Sequence, residues 1–460
     1  MQRNLLAGAA TALLTLLLSA SLTAQEPPAE EKQLTPGEIS ALEEQSAKAF
    51  AEGEHRRVLE INQELHDQRP FNVDYQVEIV RAAALLDEKT IAYEQMLSMT
   101  RQGVAYDFNQ TDDTLNIRKT ELYRYLNDLM IETLVPAGDA FVQLALAGEA
   151  ADFRSITWDS TRERFLVGTA REGKVFAVSM EGDAEVLLQA DDRNGLWSIG
   201  GLFADAARNR LWISSTASPD FAAYKPADQY RAALFEFNLE TLELIETYFL
   251  PVDSIAHELG GIAVTDDGHV YVVDRATPIV YLKKPEADRI EGFVGSKKLV
   301  SLTDVTVAPD NSRIFVSDSA TGIFVVDPAA QQAYMLSGPP DSNFGGIEGI
   351  EYTFGELLIV QGGLQPQRLM RLKLDPTASA AEAVTPMAVA KKEYNHPGVA
   401  ALQGGNLYYF ANTVGEDEGA GAVVMRTPVA EGNQITPPDM RKMQRTLEER
   451  RKAAAEKKKQ

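Results

Sequence analysis

The sequence predicts a mainly β chain, a six-bladed β-propeller preceded by a small α-helical region. Three observations carry this. A two-strand unit recurs six times in the C-terminal two-thirds; the stretch before it has helical periodicity and few strand signals; and the chain ends can close a ring. The 460 residues are 45% apolar and 24% charged, with 32 Gly and 21 Pro, which is globular composition and enough chain for one small and one large domain. With no cysteine, disulfides, thiolate metal sites, Fe–S clusters and a Cys nucleophile are all excluded.

Residues 1–24 read as a secretory signal peptide. Arg3 is a minimal basic start, Leu5–Leu18 an apolar run, and Leu22-Thr23-Ala24 a small-residue cleavage end. A periplasmic or secreted product is therefore expected. No transmembrane segment is expected after cleavage, because no later run reaches 18 apolar residues. Residues 25–34 then form a linker.

The helical region is expected over 35–135. Thr35-Pro36-Gly37-Glu38 places a capping residue and an early proline ahead of apolar Ile39, Leu42, Ala47 and Phe50. An offset of 34 residues superposes Val58-Leu59 on Ala92-Tyr93 and Leu65 on Met99, and Arg69-Pro70-Phe71-Asn72 falls at the turn between helix pairs. In that period the region resembles tetratricopeptide repeats, closed by a third helix at Thr114–Leu134.

The β region is expected over 140–430. Its unit is a small residue, an alternating strand, a polar turn and a second strand ending in a small polar residue. The copies occupy 154–169, 200–215, 260–274, 303–318, 348–361 and 397–412, and their anchors Ile156, Leu202, Ile262, Val305, Ile350 and Val399 are 46, 60, 43, 45 and 49 residues apart. Third strands follow, as at Lys174–Val178 and Arg368–Leu372, and fourth strands, as at Ala184–Leu188 and Leu244–Phe249. The last copy has only three strands. The spare run Ala140–Ala147 can complete it, removing the open edge of the ring.

Phrases such as LTDVTVAPDNSRIFVSD (302–318) make the β region resemble the propellers of the senescence-marker-protein/gluconolactonase family, which includes regucalcin-like lactonases, and related NHL-type and strictosidine-synthase-like propellers. The resemblance implies that inner strands open at the channel mouth, placing Arg154, Gly200, Gly260, Thr303, Glu348 and Pro397 there. Second strands ending at Asp274, Asp318 and Asn412 return to that face, with Trp197, His257, Arg275, Asp304 and His396 nearby. It also implies a metal-dependent lactonase site in which Glu348 stands for the family's Asp, ligand and base, and Asp304 for a shifted ligand. A divalent cation, Ca²⁺ or Zn²⁺, is the cofactor of such a site. Arg154, however, replaces the family's first-blade Glu, and its third-blade Asn has no counterpart near Leu259-Gly260.

The catalytic set being largely missing, the favoured expectation is a periplasmic binding or scaffold protein that recognises a ligand or protein partner on the propeller's top face. The alternatives are a gluconolactonase-type hydrolase and a non-catalytic sugar-binding propeller. The candidate ligand-binding residues are Arg154, Trp197, Tyr224, His257, Asp274, Arg275, Asp318, His396 and Asn412; Glu348 is the candidate catalytic residue, and Glu348 with Asp304 the candidate metal ligands. The stretch TASPDFAAYKPADQYRAA after Ser215, which lengthens one repeat, is expected to be a recognition loop.

The formal charge of −23 argues against a nucleic-acid partner. It is unevenly spread. Residues 440–460 carry nine Lys and Arg against three Glu, so this basic tail, the end of a segment 431–460, could touch an anionic envelope surface while residues 25–439 carry −30.

Overall fold

The computed structural model describes residues 33–146, 152–413, 421–430 and Ile435. The expected signal peptide, most of the linker and nearly all of the tail lie outside the described residues. Helix α1 (Pro36–Ala51) starts at the expected capping residue, which forms a capping box: the Thr35 hydroxyl accepts from the Glu38 amide at 3.3 Å and the Glu38 carboxylate from the Thr35 amide at 2.9 Å. Helices α2 (His55–Gln68), α3 (Val73–Leu85), α4 (Lys89–Arg101) and α5 (Glu121–Glu132) pack each on its predecessor around Val58, Leu59, Val80, Met96 and Met130. The 34-residue offset holds between the starts of α2 and α4, but α1 and α3 start 37 apart, so the period is not kept by both helices of a pair. The third helix begins later than expected. Thr120 caps it by accepting from the Tyr123 amide, and Asp112–Thr114 forms a short 3₁₀ turn instead.

The rest is a six-bladed β-propeller. Blades 1 to 4 are four-stranded antiparallel sheets whose innermost strands are Phe153–Asp159, Ser198–Asp205, Leu259–Val264 and Leu302–Val307. Blades 5 and 6 have innermost strands Ile347–Thr353 and Ala400–Gln403. The ring closes as the spare run predicts: Phe141–Leu146 pairs with Ala422–Pro428, so the chain's first full strand is the outer strand of blade 6. The two-residue strand Ala137–Gly138 adds a fifth strand to blade 5, a feature with no signal in the repeat pattern.

The apolar core is divided. Each junction between neighbouring blades has its own buried cluster, from Val167 with Phe410 and Val424 at the closure to Leu202 with Leu166 between blades 1 and 2. Alternation along each strand sends one residue to either junction, so burial stabilises the ring without filling its axis. The innermost strands have no backbone partner on their axial side, and side chains supply some of the missing bonds. Thr157 Oγ1 accepts from the Ala204 amide, Thr306 Oγ1 from the Tyr352 amide, and Ser214 Oγ donates to the Gly260 carbonyl.

The helical unit sits on the end of blades 4 and 5 where their third strands begin. Asn343 Nδ2 donates to the Phe71 carbonyl and to Gln102 Oε1, the Ala105 amide donates to the Gln365 carbonyl, and the Phe71 ring meets Phe344 edge-on at 5.8 Å.

Candidate functional site

The six innermost strands enclose an axial cavity of about 410 Å³, walled by Thr157, Phe203, Val264, Thr306, Glu351 and Leu402 among others. At its mouth the strand openings and adjoining turns present Arg154, Glu258, Arg275 and Glu348, and a recess of about 160 Å³ opens sideways between blades 1, 2 and 3.

Each side chain has a local reason for its place. Asp274 Oδ1 accepts from the amides of Glu258, Ala276 and Thr277, and this turn sends Arg275 across to blade 4. There Nε and Nη2 of Arg275 donate to the Thr303 carbonyl at 3.2 and 3.0 Å. Arg154 is held by Asp152 at 2.7 Å. Glu348 opens the inner strand of blade 5 and faces both guanidiniums, yet its carboxylate bonds to no described residue. Burial lifts its carboxyl above the usual range, against the pull of Arg275 and Arg154.

Asp304 is already engaged. Oδ1 accepts from the Val305 amide at 2.9 Å and Oδ2 from the Ile350 amide of the next blade at 3.2 Å. Burial pushes it up to about 6, against those two bonds and Arg275. A Cβ on Gly261 would overlap its carboxylate, so blades 3 and 4 approach this closely only with glycine there. Deeper in the cavity, Glu351 has no hydrogen-bond partner among the described residues. Burial, with the Asp304 charge adding, holds it well above the usual carboxylate range.

The structure thus brings together Arg154, Arg275, Glu348 and Asp304 from the sequence-derived set. The others lie apart from the axis. Asp318 spends its carboxylate on the amides of Val300, Ser301, Ala320 and Thr321. Asp274 holds the matching place in blade 3, where His257 Nδ1 lies 2.6 Å from Oδ2 in place of the two loop amides. His257 Nε2 is buried without a hydrogen bond, 3.7 Å from the Asp253 carboxylate. Trp197 is a core residue, edge-on to Phe235 and Phe249. Tyr224 packs half-buried on the same cluster, in a loop anchored by buried Phe221 and by a Lys225–Asp192 ion pair. Asn412 bridges the Gly421 carbonyl and the Val423 amide, and exposed His396 accepts from Thr413 through its backbone carbonyl. Glu351 escaped the sequence reading. Its signal is a carboxylate inside an inner strand, at a register the repeat otherwise gives to Thr, Phe or Ala.

These donors do not fit a divalent cation. Among the described residues no three His, Asp or Glu side chains cluster as ligands, the Asp304 oxygens serve backbone amides, and the Arg275 guanidinium acts on both Asp304 and Glu348 where a cation would have to compete with it.

No protein-family model matches the sequence, and no curated protein is significantly similar to it. Solved structures align with part of this chain. The PQQ-bound aldose sugar dehydrogenase of Streptomyces coelicolor aligns at 15% identity and TM-score 0.44, over 63% of this chain and 98% of that one. A gluconolactonase of Xanthomonas campestris aligns at 12% identity and TM-score 0.44, over 63% of this chain and 89% of that one. A Bacteroides thetaiotaomicron protein of unknown function aligns at 10% identity and TM-score 0.44, over 64% and 76%.

Proposed function

We propose that this chain is a binding propeller whose channel mouth takes a small, neutral, polyhydroxylated ligand, in an exported protein. The observation that supports it is the Glu348 carboxylate, held without a hydrogen bond opposite Arg154 and Arg275 on a rigid frame. A charged acceptor raised by burial and left unspent gains most from a ligand donor. The mouth carries both signs side by side, the guanidiniums of Arg154 and Arg275 next to the carboxylates of Asp152, Glu258 and Glu348. That disfavours a highly charged ligand and suits vicinal hydroxyls, which donate to carboxylates and accept from guanidiniums.

Isothermal titration of residues 25–460 with D-glucose, D-gluconate, glucono-δ-lactone and myo-inositol tests this. A sugar or polyol is expected to bind, and Glu348→Gln to weaken it about tenfold or more, the worth of one charge-assisted hydrogen bond. Absence of binding across the panel would remove the proposal. Lactone hydrolysis that requires added Ca²⁺ or Zn²⁺ and disappears in Glu348→Gln would replace it with the hydrolase reading.

A further inference from the structure

Where the helical unit meets blade 5 there is a second cavity, of about 360 Å³, distinct from the channel. Its floor is one face of the third and fourth strands of that blade, Arg368–Leu374 and Ala381–Val389. Arg368 stands opposite Val389, and Met370 opposite Pro386, with Val384 beyond. Its roof is the end of α4, at Arg101, Gln102 and Gly103.

Arg368 is the unusual member. It is only 5% exposed, and no described carboxylate forms an ion pair with it; Asp341 stands at the rim, exposed and unpaired with it. Nε donates to Gln361 Oε1 at 2.7 Å, and Nη1 to the carbonyls of Gln102 and Gly103, both at 3.0 Å. These carbonyls end α4, which finishes with Gly103 at φ 64° and a bond from the Val104 amide to the Met99 carbonyl. The guanidinium thus caps a helix C-terminus, a favourable place for a cation. Carbonyls satisfy its N–H groups without neutralising it, and Nη2 has no hydrogen-bond partner. A buried cation lacking a counter-charge costs several kcal/mol, which an anion arriving at Nη2 would recover in part. Burial has already brought this guanidinium down to about 10.

We propose that this junction binds a small amphipathic monocarboxylate, its carboxylate on Arg368 Nη2 and its apolar body over Met370, Pro386 and Val389. The volume suits a ligand of this size, and Met370, Val384, Pro386 and Val389 give the Arg368 anchor an apolar floor, while the roof and rim are polar at Arg101, Gln102, Asp341 and Asn343. Ile435, from segment 431–460, belongs to the wall of this cavity, and the basic residues 440–460 beyond it are unsuitable occupants, since a guanidinium repels their Lys and Arg side chains.

The test is titration of residues 25–460 with octanoate and with octanamide, the same body without the charge. Octanoate is expected to bind and octanamide to bind at least tenfold more weakly. Arg368→Met could also unlatch the helices, so Val384→Trp is the companion variant; it fills the cavity and leaves the latch intact. It is expected to abolish octanoate binding with an unchanged circular dichroism spectrum. No octanoate binding, equal binding of the amide, or undiminished binding by Val384→Trp would each overturn the proposal. The channel reading stands or falls separately, on the sugar titration.

Discussion

Glu351 shows what a channel does to a single side chain. It lies in an inner strand, walled by neighbouring blades, with no hydrogen bond to share its charge. Its carboxyl therefore keeps its proton at pH values where an exposed Glu has lost it. Folding takes up a proton, so this group's contribution falls as pH rises from the unfolded value toward the raised folded one, by about 1.4 kcal/mol per pH unit in that window. Glutamine mimics the protonated acid and does not titrate. Glu351→Gln is thus expected to match the wild type in urea unfolding near pH 4.5 and to be increasingly more stable toward pH 8. A constant difference across that range would mean the carboxylate finds a partner on ionising. The sequence hid this residue because a strand pattern tells which face a side chain takes, and an axial face open to the channel reads like solvent. Arg154 and Glu348 were legible because they open inner strands, where the repeat itself marks the position.

At the level of elements, repeat spacing proved more informative than local propensity. Strand Phe141–Leu146 was legible as AFVQLALA because a three-strand last copy left a place for it, and its burial alternates as the fit requires. Leu144 and Leu146 are buried, 2% and 7% exposed, while Phe141 and Val142 are each half exposed. Leu144 packs between blade 6 and blade 1, opposite Val424. Leu144→Ala is therefore expected to cost about 2–5 kcal/mol in denaturant unfolding, and Val142→Ala less than about 0.5 kcal/mol. Equal small losses would show that the closing strand contributes little to the ring. The start of α5 was less legible. Residues 114–120 have helical composition, but Thr114 Oγ1 donates to the Phe108 carbonyl and Thr120 caps the helix six residues later. Such competition between side chain and backbone is not visible in periodicity.

For the whole molecule, the six junction clusters make the propeller self-sufficient, whereas the helical unit leans on it through a few anchors. Phe71 is central among them. It lies in the turn between α2 and α3, its ring edge-on to Phe344, and a Cβ on Gly322 or on Gly345 would collide with it. The glycines of blades 4 and 5 therefore act as the socket for a side chain about 250 residues away, a long-range match that no local pattern could reveal. The helices have their own core around Leu59, Val80 and Met96, so weakening the socket should uncouple the units without unfolding either. Phe71→Ala removes a half-buried ring at a cost of about 2 kcal/mol, roughly half that of a fully buried phenylalanine. In calorimetry the helical unit is expected to melt several degrees earlier, as a separate transition, with the propeller transition unmoved. Hydrogen exchange should then show lost protection in α2 to α4 and unchanged protection in the inner strands. A single transition shifted as a whole would mean instead that the helices and the ring fold as one cooperative unit, with the turn at Phe71 as part of their shared core.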